Sequence, residues 1–466
     1  MIVDTTYGKL RGRMEDGVAV FRGVPYAAPP FGDLRFRAPE PPASWEGVRD
    51  ALEYGPTAPK RPYAPPLDTI LPEIHIDGDD CLNLNVWTPG LSGRRPVMVW
   101  VHGGSNRNGS NSVPVYDGGA FARSGVVLVS INYRLGVEGF GSFPDAPENR
   151  GLLDQVAALE WVRDNIEAFG GDPGNVTLFG ESAGGIDIAA LLTVPSVAGL
   201  FSRAIVQSGP PAVGPPAAAR KTTAMIAKLL GVPPTAAAFA AVDRERLLDA
   251  QVAVSRKGSL TGGPGFGPVL DGELLTGRDL DPDKPVIFGH TSEEYRLWFV
   301  PTGLAARLKP VMVRLALLKL RVPGRVFRGY RALHPRLSPG EAFGLLITDH
   351  LLRVPLRKLA DARPAGRTWL YEFAWRSPSH ELGAAHAMEI PFVFATTATA
   401  EAQLMTGPDT PAALTRAMHE AWVRFAETGD PGWPAWSAAT RPTQVFDENS
   451  RVVADHAAEV HELWSR

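Results

Sequence analysis

The sequence has one cysteine, Cys81, in 466 residues, which excludes an internal disulfide and any cysteine-built metal site. No uninterrupted apolar run reaches the ~18 residues of a membrane-spanning helix, so stable membrane insertion is not expected. The N-terminal residues Met1 to Lys9 lack a basic segment followed by an apolar core, and no secretory signal is read there. Net charge is small, −3 from 47 basic and 50 acidic residues, which gives no electrostatic reason to expect nucleic acid as a partner. Low-complexity tracts and internal repeats are also missing, because the 43 prolines and 48 glycines are spread through motifs and loops. These absences leave an ordinary globular chain, expected to be cytoplasmic and a monomer or small homo-oligomer. Its length suits one large α/β domain or two or three smaller ones.

What is present is organised around residues 169 to 185. Val176 to Phe179 is a short apolar, β-branched run with turn residues before it. Gly180-Glu181-Ser182-Ala183-Gly184 follows, matching G-x-S-x-G, and a helix is expected from Ala183 through Leu191. Strand, tight turn and helix in that order expose the Ser182 hydroxyl above a sheet, and small residues at 180 and 184 let strand and helix approach closely.

The surrounding chain reads as a small β-rich opening (Tyr7 to Gly12, Val18 to Phe21), then a Pro-rich coil from Val24 to Pro42 pinned by aromatic residues. Strands are expected at Leu82 to Trp87, Pro96 to Val101, Val126 to Asn132, Arg203 to Gln207, Val286 to Phe288 and Thr368 to Phe373. Between them Leu152, Val156, Leu159, Val162 and Ile166, spaced 4, 3, 3 and 4, form one apolar helix face. Such alternation implies a mainly parallel sheet with helices on both faces, with functional groups just past the strands' carboxyl ends.

If Ser182 is a nucleophile, it needs a base, an orienting acid and donors for the oxyanion, and in this architecture the acid and then the histidine follow the serine. The acid is sought after the strand Val286 to Phe288, where Glu293 and Glu294 are both candidates; glutamates at a helix N-terminus, capped by Thr291 or Ser292, would look the same. For the base, His386 lies in the small-residue stretch Gly383-Ala384-Ala385-His386. His380 is the main decoy, and His334, His350, His419, His456 and His461 also follow the glutamates. The glycine turn His102-Gly103-Gly104-Ser105-Asn106, at the end of the Pro96 to Val101 strand, would aim main-chain N–H groups at a negative oxygen, together with that of Ala183. No Lys-Ser or Lys-Thr follows at phosphate-loop spacing.

Residues 303 to 340 stand apart. They carry nine Arg and Lys residues and no acidic one, with Arg307, Arg314, Arg321 and Arg328 every seven residues. Pro323-Gly324 should break the helix. One reading is a cap helix with a solvated basic face; the other is a lid touching anionic or interfacial substrate.

Taken together, these motifs resemble the type-B carboxylesterases, a family of the α/β-hydrolase superfamily that includes the cholinesterases, and in particular its bacterial para-nitrobenzyl-esterase-like members. Residues 169 to 184 fit the family's serine signature, and Asp79 to Pro89 its second signature, with Asn83 where Tyr or Thr is usual. Phe21 to Ala27, Asn132 to Gly136, Leu153-Asp154-Gln155, Gln207-Ser208-Gly209, Thr348-Asp349 with Arg353 and Pro355, and Phe425 to Pro431 are also family-like. The resemblance implies a single α/β-hydrolase domain over 1–466, with a helical cap at about 303–340. It implies a serine carboxylic-ester hydrolase of small to medium esters working through an acyl-enzyme, with no metal or organic cofactor. Its acid motif places the catalytic carboxylate on Glu294, its histidine motif selects His386, and its oxyanion donors fall on Gly104, Ser105 and Ala183. Departures are the polar Ser105-Asn106-Arg107-Asn108 where a third Gly and an aromatic are common, Tyr295 in place of a frequent Gly, and Gly55 to Pro59 without a partner for Cys81. The same groups would serve an amidase, thioesterase or lactonase. A non-catalytic adhesion-type relative would typically have lost a triad member, and none is lost here.

Overall fold

The computed structural model describes residues 1–256 and 265–465, divided between two compact units. The first comprises Met1–Tyr63, Glu73–Lys284 and Val423–Gly429; the second comprises Ala64–Pro72, Pro285–Trp422 and Asp430–Arg466.

In the first unit, β1 (Ile2–Thr5), β2 (Gly8–Arg11) and β5 (Val48–Asp50) make a small sheet. The larger one runs β10-β9-β7-β8-β6-β4-β3, from β3 (Arg13–Glu15), β4 (Val18–Pro25), β6 (Asn83–Thr88), β7 (Arg95–Val101), β8 (Val127–Ile131), β9 (Gly171–Glu181) and β10 (Arg203–Gln207). β10, β9, β7 and β8 are mutually parallel, while β6, β4 and β3 add antiparallel strands. Val97 to Val101 and Val127 to Val129 are fully buried, as parallel strands covered on both faces require. The expected helix is Arg150–Asn165, and Leu152, Leu159 and Val162 form part of its buried face. β9 starts earlier than its apolar run suggests, because Gly171 already pairs with Arg95 before the register shifts to Val97↔Val176. The Pro-rich coil is pinned as expected: Phe36 is buried and packs edge-on against Phe143, centroids 5.1 Å apart. Cys81 is free and buried, and burial pushes its thiol up to about 12, which leaves it inert.

The second unit holds β11 (Val286–Thr291), β12 (Thr368–Phe373), β13 (Pro442–Phe446) and β14 (Arg451–Ala454) in the order β14-β13-β12-β11. The first three of these strands are parallel and β14 is antiparallel. The family-like Asp349 and Arg353 sit on one π-helical turn, where Arg353 pairs with Asp349 and, at 2.6 Å, with Glu372 of β12. The basic segment breaks where expected, into helices Pro310–Lys319 and Gly324–Leu333. Their inner side chains, Val313, Ala316, Leu317, Val326 and Tyr330, with Val322 from the break between them, share a core with Tyr295, Phe299, Phe343 and Leu346. The outer face is not simply basic, since Val311, Leu315 and Leu318 are exposed on it.

Candidate active site

Ser182 directly follows β9 and is the N-cap residue of the helix Ala183–Leu191, with φ 55° and ψ −120°. A non-glycine residue in that region costs about 1–3 kcal/mol, and the turn is held by the Ser182 N–H donating to Gln207 O (2.9 Å) and by Ile186 N–H donating to Ser182 O (2.9 Å). Gly184 explains why the motif needs a small residue there: a Cβ would stand 2.1 Å from the Val101 carbonyl oxygen. Ser182 is half-buried between fully buried neighbours, so the strain presents its side chain rather than hiding it.

The turn after β7 lies against this elbow, since a Cβ on Gly103 would come within 3.1 Å of the Ser182 Cβ. Gly104, Ser105 and Asn106 are successively left-handed, with φ of 113°, 57° and 52°. Gly104 O accepts from both Arg107 N–H (3.0 Å) and Asn108 N–H (2.9 Å), closing the loop. Among the described residues the main-chain N–H groups of Gly104, Ser105 and Ala183 have no acceptor. These three donors are therefore available to an anion.

A buried network that the sequence did not point to fixes this loop. Asn106 Nδ2 donates to Asp187 Oδ1 (3.2 Å) and Gln155 Nε2 to Asp187 Oδ2 (2.7 Å), Asp187 lying on the helix Ala183–Leu191. Tyr133 donates its hydroxyl to His102 O (2.8 Å) and stacks on the His102 ring. Burial pushes the Asp187 carboxyl up to about 7 against the hydrogen bonds of its two amide partners. Burial holds the His102 imidazole down at about 3, so that ring stays neutral and acts by packing. Asn106 and Asp187 are 81 residues apart, and only the polar departure at 105–108 could have flagged the loop.

In the second unit, Glu293 and Glu294 separate cleanly. Glu294 binds His386 Nδ1 with one carboxylate oxygen and accepts the Thr291 N–H (2.7 Å) with the other. A carboxylate can only accept, so His386 carries its proton on Nδ1 and leaves Nε2 as an acceptor. Glu293 instead accepts from Ala384 N–H (3.2 Å), donates its own N–H to Ala384 O (3.0 Å), and pairs with Arg376 (2.5 Å) and Arg296 (3.7 Å). It fastens the segment that presents His386. Trp298 tilts over the His386 ring at 4.8 Å. The N-terminal-turn alternative fails for both glutamates, because the next helix, Arg296–Phe299, is preceded by Tyr295 with no side-chain cap.

The other histidines are occupied elsewhere or exposed. His380 is exposed, His419 Nδ1 donates to Val393 O (2.9 Å), and His456 meets Glu372 at 3.0 Å. His350 stacks on Trp464, His334 ends the helix Gly324–Leu333 as its cap residue, and burial lowers His461 to about 3.

The sequence model of the Carboxylesterase family matches residues 1–315 and 331–463. The chain is 37% identical to the para-nitrobenzyl esterase of Bacillus subtilis (strain 168), over 98% of this chain and 97% of that one. It is 38% identical to the phenmedipham hydrolase of Pseudarthrobacter oxydans, over 99% and 98% of the two chains. Among solved structures, a carboxylesterase of Geobacillus stearothermophilus superposes with a TM-score of 0.89 at 34% identity, covering 99% of both chains. A PNB esterase structure superposes with a TM-score of 0.87 at 35% identity, again covering 99% of each. With the elbow, the glycine turn and the Glu–His pair, these matches establish that the chain belongs to the carboxylesterase family: it is a serine carboxylic-ester hydrolase with the α/β-hydrolase fold.

Proposed function

We propose that Ser182, His386 and Glu294 are the catalytic triad of this esterase and that Gly104, Ser105 and Ala183 supply its oxyanion donors. The observation that carries the assignment is the Glu294–His386 pair, which fixes the imidazole with its proton on Nδ1 and Nε2 in the unprotonated form a base needs. In this reading Ser182 attacks the ester carbonyl while His386 Nε2 takes the hydroxyl proton. Glu294 keeps the ring oriented and offsets the imidazolium charge, without taking the proton itself. The three N–H groups receive the oxygen as it becomes negative. Collapse of the tetrahedral intermediate expels the alcohol, which His386 protonates, and leaves an acyl group on Ser182. Water, deprotonated by the same nitrogen, then releases the acid. The sequence carries every group this chemistry uses, so no cofactor enters it.

Substrates are small to medium esters, para-nitrobenzyl esters among them, since the name of the Bacillus relative specifies that group. Trp298, 41% exposed and tilted over His386, offers such a ring an apolar surface. The family model spans residues of both compact units, which supports one working domain over 1–466 with 303–340 as its cap. No helix among the described residues is long and apolar enough to cross a membrane, and a cytoplasmic monomer or small homo-oligomer without a nucleic-acid partner is the matching proposal. The test is Ser182→Ala on a para-nitrobenzyl ester: kcat is expected to fall by roughly three to six orders of magnitude with circular dichroism unchanged. A variant near the wild-type rate would end the assignment.

A further inference from the structure

The helix Pro310–Lys319 presents two apolar stripes, and only one is covered. Val313, Ala316 and Leu317 are buried. Val311, Met312, Leu315 and Leu318 face outward, 61, 40, 64 and 77% exposed. Their spacing of i, i+1, i+4 and i+7 is one face of a helix. Scattered exposed aliphatics need no explanation, but four on one short helix form a patch that does. Lys309, Arg314, Lys319, Arg321 and Arg325 are exposed around it, and residues 303–340 contain no Asp or Glu to neutralise them. The family model leaves residues 316–330 unmatched, so part of this surface lies outside the family's common pattern.

We propose that this face docks on the surface of an anionic lipid bilayer. The four aliphatic side chains enter the boundary between headgroups and acyl chains while the surrounding cations meet lipid phosphates and carboxylates. Arg and Lys suit that rim because their aliphatic stems can lie along the apolar phase with the charge in water. A second copy of the chain is a poor occupant: two-fold pairing of this patch with itself sets Arg314 and Lys319 against the same cations. A protein partner is also disfavoured. Protein interfaces concentrate energy in rigid aromatic and Arg anchors seated in pockets, whereas these flexible aliphatics carry no donor or acceptor and suit a fluid apolar phase. The inference is independent of the proposed triad, which uses none of these residues.

The test is co-sedimentation of the full chain with vesicles of phosphatidylcholine alone and of phosphatidylcholine mixed with phosphatidylserine, at low and high salt. Binding is expected to the mixed vesicles at low salt, weak to the neutral ones, and reduced as salt rises. Arg314→Gln with Lys319→Gln should lower the partition coefficient by about fivefold for each cation removed, and Leu315→Ser with Leu318→Ser by at least about tenfold. All four substitutions are at exposed positions, so circular dichroism and turnover of a water-soluble ester should match wild type for both double variants. No binding to anionic vesicles at low salt, binding that neither pair of substitutions weakens, or capture by soluble polyglutamate in preference to vesicles would each overturn the proposal.

Discussion

Replacing Glu294 by Gln changes one oxygen for one NH2 group, yet the local geometry makes it severe. The Thr291 N–H points at one carboxylate oxygen from 2.7 Å. An amide placed there must put its oxygen toward that donor, because turning the NH2 group to it would set two donors face to face in a buried site. The NH2 group is then forced toward His386, where it can only donate. His386 Nδ1 must become the acceptor, so the ring proton moves to Nε2, the nitrogen that takes the Ser182 proton in the proposed mechanism. The variant would hold its geometry and lose its base. The loss expected for the wrong tautomer is about 10⁴ in kcat, or about 5.5 kcal/mol of transition-state stabilisation. Glu293→Gln is the paired control. It removes the charge facing Arg376 and Arg296 but keeps an oxygen for the Ala384 N–H, so it should cost up to about 3 kcal/mol in stability and less than about tenfold in kcat. Steady-state kinetics on one aryl ester, with urea unfolding of both variants, decides the matter. The reasoning fails if Glu293→Gln is the crippled enzyme, or if Glu294→Gln turns over within about tenfold of wild type.

Asp187 gives a pH prediction: its carboxyl titrates near about 7 when folded and near ~4 when unfolded, so the folded state holds the extra proton between those values. The stability this contributes is complete below pH ~4 and lost as pH rises toward 7, and Asp187→Asn should gain relative to wild type across that window; parallel urea-midpoint profiles would refute it. The Asp154 carboxylate, buried and bonded to Arg134 at 2.6 and 2.8 Å, predicts that Asp154→Ala costs about 3–5 kcal/mol by leaving a buried guanidinium unpaired. A urea-measured loss under about 1 kcal/mol would contradict that. Gly184→Ala must push the helix Ala183–Leu191 off the Val101 carbonyl and should lower kcat/KM by about 10² or more, whereas Gly199→Ala, where a Cβ meets nothing within 4 Å, should leave the rate unchanged.

The parts of the structure that could be read from the sequence are those whose physics is local. Gly180 and Gly184 encode a close approach, and the alternation of apolar runs with one-faced helices encodes a covered parallel sheet. The acid pair was not local. Glu293 and Glu294 look alike until the partners that tell them apart are known, and Arg376, Ala384 and His386 lie more than eighty residues on. The helix Pro310–Lys319 was illegible for another reason. It is apolar over most of its circumference, so Val311, Leu315 and Leu318 form as good a stripe as Val313, Ala316 and Leu317. Tertiary packing chose the second, and no periodicity within the helix could.

The polar departure at 105–108 takes on meaning once Asp187 is placed beside it. Three successive left-handed residues make an unfavourable loop, tolerated at Gly104 for want of a Cβ and at Asn106 because Asn enters that region more readily than most residues. The Asn106 side chain is then tied to Asp187, and Asp187 belongs to the helix whose first N–H is the proposed donor at Ala183. The loop bearing the donors at 104 and 105 and the helix bearing the third thus share one buried amide–carboxyl contact, braced by Gln155. Replacing an aromatic loop with a polar one does not remove a donor, since each N–H belongs to the main chain. In this chain the register of the proposed donors rests on a hydrogen bond whose acceptor titrates near neutrality.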